Sequence, residues 1–416
     1  MTDWKETGIG RIPKTWNTEI IENLIQEKGI SVGVMYPGNN IPNGVPLIRA
    51  GDVRNNKIDD SINYRISEEV NQNHKRTILH GGELLVVLVG SPGISAIVPE
   101  NKKGWNAARA IGVLKLRDTS DGKFIQYALR HPNVQHNLLS SCNTSVQATL
   151  NLKELKEVAL PWPSKSDRDR IAEILSSLDD KIDLLHRQNK TLEQLPETLF
   201  RQWFVEEAEE NWDEVFLGEF VSVKHGYAFK GNYISTEPTN LILVTPGNFK
   251  IGGGFKFNKF KYYTNEEFPE DYIFRTGDLV VTMTDLSVHG DTLGYPALIP
   301  ESHSNELYLH NQRIGKVEFK KEISKQFIYQ LMKTRDYQWF ILGGASGTSI
   351  RHTSPTSICS YSFPMPPKRK IFDFECFTIE LEEKIRINQN QIKTLTQLRD
   401  TLLPKLMSGE VRVEMN

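Results

Sequence analysis

Residues able to read the edges of nucleic-acid bases stand in small polar clusters along this 416-residue chain. Arginine and lysine donate to guanine, asparagine and glutamine both donate and accept at adenine, and serine and threonine serve either. Asn143, Thr144, Ser145 and Gln147 form one polar loop, and Thr348, Ser349, Arg351 and His352 form another, with the Thr-Ser pairs 204 residues apart. Asn106 and Arg109 make a second set, matched by Asn311, Gln312 and Arg313. Each arginine is open to two readings, bidentate contact with guanine or an ion pair at a core edge. Ser91, and the group Thr284, Ser287 and His289, follow equivalent apolar runs and are further candidates. Lys256, Lys259 and Lys261 interleave with Phe257, Phe260, Tyr262 and Tyr263, the pattern of a phosphate-tracking strand or of a plain amphipathic edge strand. A polar loop is ordinarily just a solvated turn; recurrence in two places is what favours the DNA-facing reading.

Other chemistries lack their parts. The chain has no GxxxxGK[ST] phosphate loop, no [ND]PP[YFW] methyltransferase motif, no HExxH and no GxSxG. Cys142, Cys359 and Cys376 show no metal-ligand spacing, nor do His74, His80, His131, His136 and His303. No catalytic residue and no metal site are expected.

The elements that position these clusters come in two copies. Phe124-Ile125 matches Phe327-Ile328, Ile111-Gly112 matches Ile314-Gly315, and Pro161-Trp162-Pro163 matches Pro364-Met365-Pro366, all at an offset of 203. Short apolar runs predict strands at 45–48, 84–89 and 110–116 in the first copy, and at 241–244, 279–282 and 314–319 in the second. Helices are predicted after the last strand of each, at 123–130 and 324–333. The expected fold class is α+β, two sheet-containing globular segments in tandem repeat, separated by two long helices packed as an antiparallel coiled coil.

The helices are legible from their heptads. Leu175, Leu178, Ile182, Leu185, Asn189 and Leu192 recur at alternating spacings of three and four, as do Leu381, Ile385, Asn388, Ile392, Leu395 and, after Arg399, Leu402. Setting Asn189 opposite Asn388 in an antiparallel pair brings Leu192 to Ile385, Leu185 to Ile392 and Leu175 to Leu402. Pro196 and Pro404 are expected to bend or end the helices. The first helix, taken as 167–195, spans roughly 44 Å at 1.5 Å per residue, commensurate with half-sites one helical turn apart on a duplex.

Composition narrows the class. With 38% hydrophobic and 25% charged residues the chain can bury a core, which excludes wholesale disorder. The longest apolar run, 84–89, is far too short to cross a bilayer, and residues 1–6 lack a signal peptide's apolar core; a cytoplasmic location and no membrane partner are expected. The net charge of -2 hides a division: residues 165–214 carry 7 basic and 14 acidic side chains, while the two large segments are neutral to mildly basic.

Three stretches carry a family resemblance: Glu6 to Trp16 (ETGIGRIPKTW), Arg168 to Ile182 (RDRIAEILSSLDDKI) and Leu398 to Val411 (LRDTLLPKLMSGEV). With the tandem plan, they make the whole chain resemble the specificity subunit of type I restriction-modification systems. The second helix departs from the family's Ile-Ala-x-x-Leu, carrying Phe374-Glu375-Cys376-Phe377 instead. The resemblance implies a first target-recognition domain at 1–163, a first spacer helix at 164–205, an acidic linker at 206–214, a second target-recognition domain at 215–367, and a second spacer helix with C-terminal tail at 368–416. It also implies a non-catalytic host-defence subunit reading a bipartite target in double-stranded DNA. Two methyltransferase subunits and restriction/translocase subunits are the implied partners, with S-adenosylmethionine, ATP and magnesium on those partners and no cofactor in this chain. A coiled-coil repeat scaffold that joins other proteins without binding DNA is the alternative.

Overall fold

The computed structural model describes residues 3–54, 56–142, 148–257, 260–265, 267–285, 287, 290–302, 305–347 and 350–412. The chain divides into two compact units, one comprising 1–186 with 389–416 and the other 187–388.

In the first unit, an antiparallel sheet runs in the order Ser95–Ile97, Leu84–Val87, Ile111–Leu116, Ile25–Val32. Leu84 to Val87 are all buried, as expected of a central strand covered on both faces. A second, three-stranded sheet sets Val45–Ile48 between Asn106–Ala107 and Arg65–Ile66, and the Asn106–Ala107 pairing is parallel. Helices Gly122–Ala128 and Pro132–Ser140 follow. The second unit repeats the plan: Val221–His225, Ile314–Phe319, Leu279–Thr282 and Pro296–Leu298 form the antiparallel sheet, and Leu241–Val244 pairs in parallel with Leu307–His310. The α+β expectation therefore holds.

The long helices are Lys165–Arg201 and Lys368–Ser408, about 55 and 61 Å at 1.5 Å per residue. In the first unit Leu175, Ile182 and Leu185 are buried, while Leu178, Ile392, Leu395 and Leu402 are half-buried. Arg399, which interrupts the second seam, donates to Asp179 at 2.8 Å, and the Tyr127 hydroxyl donates to the same carboxylate at 2.8 Å. Burial pushes the Asp179 carboxyl up, but these bonds and the charges of Arg130 and Arg399 outweigh it and hold the group below the usual range. In the second unit Asn189, Leu381 and Asn388 are buried, with Leu192 and Ile385 half-buried. Asn388 Nδ2 donates to Asn189 Oδ1 at 2.8 Å.

Pro196 and Pro404 lie inside the helices, which run on to Arg201 and Ser408, so neither proline ends its helix. The lost amide bond is offset by packing of the turns around each proline: Phe200, Leu403, Leu406 and Met407 are all core residues. Phe374, the departure in the second helix, is fully buried against Phe200 and Phe204, with ring centroids 5.7 and 5.3 Å away.

The three stretches that carry the family resemblance meet in one core. Ile9, Ile12 and Trp16 pack with Ile171, Ala172 and Leu175 and with Leu403, Leu406 and Met407. Gly409, at φ +74°, closes the second helix in the left-handed conformation, and a Cβ there would stand 2.6 Å from Pro13. Among the described residues no helix is long and apolar enough to cross a membrane.

Candidate nucleic-acid interface

One arginine-rich surface of the first unit grows from a close approach of backbones. Val34 bridges Ala108 in parallel, and Gly33 beside it is forced, because a Cβ there would strike the carbonyls of Ala107 and Ala108. The amide of Arg109 donates to Val34 O at 3.0 Å, which points the chain outward with the Arg109 side chain exposed. Opposite, the strand Val45–Ile48 ends in a tight turn, Ala50–Asp52, where the Asp52 carboxylate accepts from the Arg49 amide at 2.8 Å. These segments enclose an open concavity of about 700 Å³ lined by Arg49, Arg54 and Arg109, with Val34, Met35 and Asp52. Arg54 Nε is held on Gly51 O at 2.6 Å, and the Arg49 guanidinium lies 5.5 Å from the Tyr64 ring centre. Three guanidinium groups against one carboxylate leave the concavity cationic. Among the described residues Arg109 has no ion-pair partner.

The second unit builds the same frame. Tyr227 bridges Asn311 in parallel, Gly226 lies where a Cβ would strike the Asn311 carbonyl, and the amide of Gln312 donates to Tyr227 O at 3.0 Å. The turn Pro246–Asn248 is capped as its counterpart is, Asn248 Oδ1 accepting from the Thr245 amide at 2.9 Å. Arg49, Arg54 and Arg109 thus correspond to Thr245, Lys250 and Gln312. This corrects the sequence pairing of Arg109 with Arg313: the backbone bonds make Gln312 the equivalent of Arg109, and Arg313 that of Ala110. Lys250, Gln312 and Arg313 are exposed.

Several candidates fall elsewhere. Asn106 is fully buried, its amide donating to Asn71 at 2.9 Å and its Oδ1 accepting from the Ala107 amide; it fixes the parallel strand and has no face left for a base. Asn311 is likewise buried, its side-chain oxygen taken by the Arg313 amide at 3.0 Å. Thr284 is buried in a two-stranded ladder with His352, whose Nδ1 lies 3.1 Å from the Thr284 hydroxyl, while the His352 side chain is otherwise exposed and Arg351 half-buried. Ser287 is half-buried and its hydroxyl accepts from the Asp291 amide at 3.0 Å. Asp285 anchors that turn, accepting from the Ser287 amide at 2.6 Å, the Thr292 hydroxyl at 2.8 Å and the Thr292 amide; burial raises its pKa, but these bonds lower it further. Ser91 is exposed. Lys256 is half-buried and precedes the strand Lys261–Tyr263 instead of lying on it. Asn143, Thr144, Ser145, Gln147, Lys259, His289, Thr348 and Ser349 lie outside the described residues.

Arg49, Arg54, Thr245 and Lys250 were not singled out by the sequence reading. Their signal is a repeat, Arg49-Ala-Gly-Asp-Val-Arg54 against Thr245-Pro-Gly-Asn-Phe-Lys250 at an offset of 196.

The description "Type I restriction modification DNA specificity domain" matches residues 35–194 and again 209–401, most of the chain. The chain belongs to the type I restriction-modification specificity family. The type I restriction enzyme MjaIX specificity subunit of Methanocaldococcus jannaschii is 24% identical across 99% of this chain and 97% of its own length. The EcoBI specificity subunit of Escherichia coli is 31% identical over a shorter stretch, 42% of this chain and 38% of its own. Among solved structures, the type I S subunit from M. genitalium shares the fold with a TM-score of 0.53 at 17% identity, covering 96% of this chain and 97% of that one. Each of the two family matches holds one of the two sets of equivalent residues, Arg49, Arg54 and Arg109 in the first and Thr245, Lys250 and Gln312 in the second.

Proposed function

We propose that this chain is the non-catalytic DNA-reading component of a type I restriction-modification complex, in which each unit reads one half of a bipartite duplex target. The observation that carries this reading is the recurrence of one exposed frame, Arg49, Arg54 and Arg109 in one unit and Thr245, Lys250 and Gln312 in the other, within a chain of the specificity family. One such frame reads a few base pairs, and two add their discrimination against competing sites. The helix pair docks methyltransferase subunits: Phe372, Ile379 and Ile387 are exposed apolar side chains on one side of the second helix, away from the seam. Restriction/translocase subunits complete the assembly, and S-adenosylmethionine, ATP and magnesium bind those partners. The scaffold alternative accounts for the helices but gives the repeated polar frame no task.

Long-read methylation mapping in cells expressing the chain with a methyltransferase partner tests the proposal. A new methylated motif of two short defined parts around a fixed unspecified gap is expected. Unchanged methylation, together with no salt-dependent binding to duplex DNA, would favour the scaffold, since phosphate neutralisation makes the affinity of a DNA reader fall steeply as salt rises.

A further inference from the structure

The two frames share a backbone but differ in chemistry at chosen positions, and that difference sorts their contacts. Arg54 and Lys250 are equivalent and both cationic. Arg109 and Gln312 are equivalent, exposed, and held by the same amide bond to the facing strand, to Val34 O and Tyr227 O respectively, each at 3.0 Å. One is a planar cation and the other a neutral amide. Phosphates present the same chemistry along any sequence, so a phosphate contact keeps its charge in both copies. Position 54/250 behaves that way. A residue that specifies a base differs when the half-sites differ, and an uncharged glutamine lacks the charge from which a phosphate contact draws most of its strength.

Resting on the DNA-reading role proposed above, we infer that Arg109 reads a guanine in the first unit's half-site and Gln312 reads an adenine in the second unit's half-site, while Arg54 and Lys250 hold phosphates. The guanidinium fork matches guanine O6 and N7; the glutamine amide accepts from adenine N6 and donates to N7.

The test uses the full chain, with any methyltransferase subunits that co-purify, and duplexes carrying the mapped motif with each base pair replaced in turn. The wild type should show one G·C pair and one A·T pair, in different half-sites, whose replacement weakens binding by about 5- to 150-fold. Arg109→Gln should erase the penalty at that G·C pair alone, and Gln312→Arg should move preference at the A·T pair toward G·C. Arg54→Ala and Lys250→Ala should weaken all duplexes alike and lower the salt slope by roughly 0.9 each. Each variant is assayed once its melting transition matches the wild type; both reading side chains are exposed, so folding is not at stake. Unchanged penalties, a uniform loss from Arg109→Gln, or changes by both variants in one half-site would overturn the assignment and leave the DNA-reading role standing. A wild type that binds every duplex equally would overturn both.

Discussion

Asn388 donates its side-chain amide to Asn189 at 2.8 Å, with the two residues only 1% and 7% exposed. In a seam made mostly of apolar residues, this one buried amide–amide bond fixes register and lowers stability relative to leucine. Replacing both by leucine should raise the melting temperature and permit other registers, seen as broadened spectra or altered cross-linking. Replacing only one leaves a buried amide unpaired and should cost about 1–3 kcal/mol. A double variant less stable than the wild type would reject this account.

Arg168 is 9% exposed, donates to both oxygens of Asp121 at 2.8 and 3.1 Å, and lies 4.1 Å over the Trp162 ring. Arg168→Ala leaves the buried Asp121 carboxylate only the half-exposed Lys165 Nζ, 3.2 Å away, and should destabilise the first unit by up to about 3 kcal/mol, measured by urea unfolding. Removing both charges with apolar side chains of similar size should recover most of that loss. A single variant within about 0.5 kcal/mol of wild type would mean water reaches the site.

His310 is almost wholly buried; its Nε2 donates to Ile314 O at 2.9 Å. Burial pushes its pKa down, the Ile314 bond raises it, and Lys224 and Lys316 lower it again, with a net fall to about 4 from 6.5. The unfolded chain takes up the proton first on acidification, so the neutral ring's contribution is present above pH 6.5 and is lost as pH falls toward 4. About 3 kcal/mol should disappear across that window. His310→Leu should flatten the slope whatever it does to stability at neutral pH. Denaturant midpoints at pH 7 and pH 5 read the difference, and equal slopes for variant and wild type would exclude His310 as the source.

Gly33 and Gly226 each lie under a carbonyl of the facing strand. Gly33→Ala should shift the segment carrying Arg109, and Gly226→Ala the one carrying Gln312, at a cost of about 1–3 kcal/mol. Exchange of the Arg109 and Gln312 amides, read by hydrogen–deuterium exchange, should accelerate in the matching variant alone.

The strands were legible because central strands are rich in buried apolar residues: 241–244 and 279–282 are nearly unbroken apolar runs, 314–319 carries Lys316 and Glu318 among its apolar residues, and all three are strands at those bounds. The antiparallel helix register was legible because heptad spacing names the facing residues, and Asn189 does meet Asn388. The rim was less so. Asn-Ala-Ala-Arg109 and Asn-Gln-Arg313 invite alignment on their shared Asn and Arg, yet the offset of 203 at the adjoining Ile111 and Ile314, and the backbone hydrogen bonds with it, set Arg109 against Gln312. Asn106 and Thr284 have base-reading side chains, but strand alternation turns them into the core. Arg49 comes near Arg109 only through the parallel pairing of Ile48 with Ala107, a contact that local sequence does not announce.

The first compact unit is discontinuous: it takes residues 389–416 from beyond the whole of the second. On a ribosome, the contiguous unit 187–388 has all its parts first, although it is encoded later than most of its neighbour. The core around Trp16 must wait for Leu403, Leu406 and Met407. Residues 3–186 thus spend most of synthesis with an open apolar face, the condition in which a nascent chain needs a chaperone's cover.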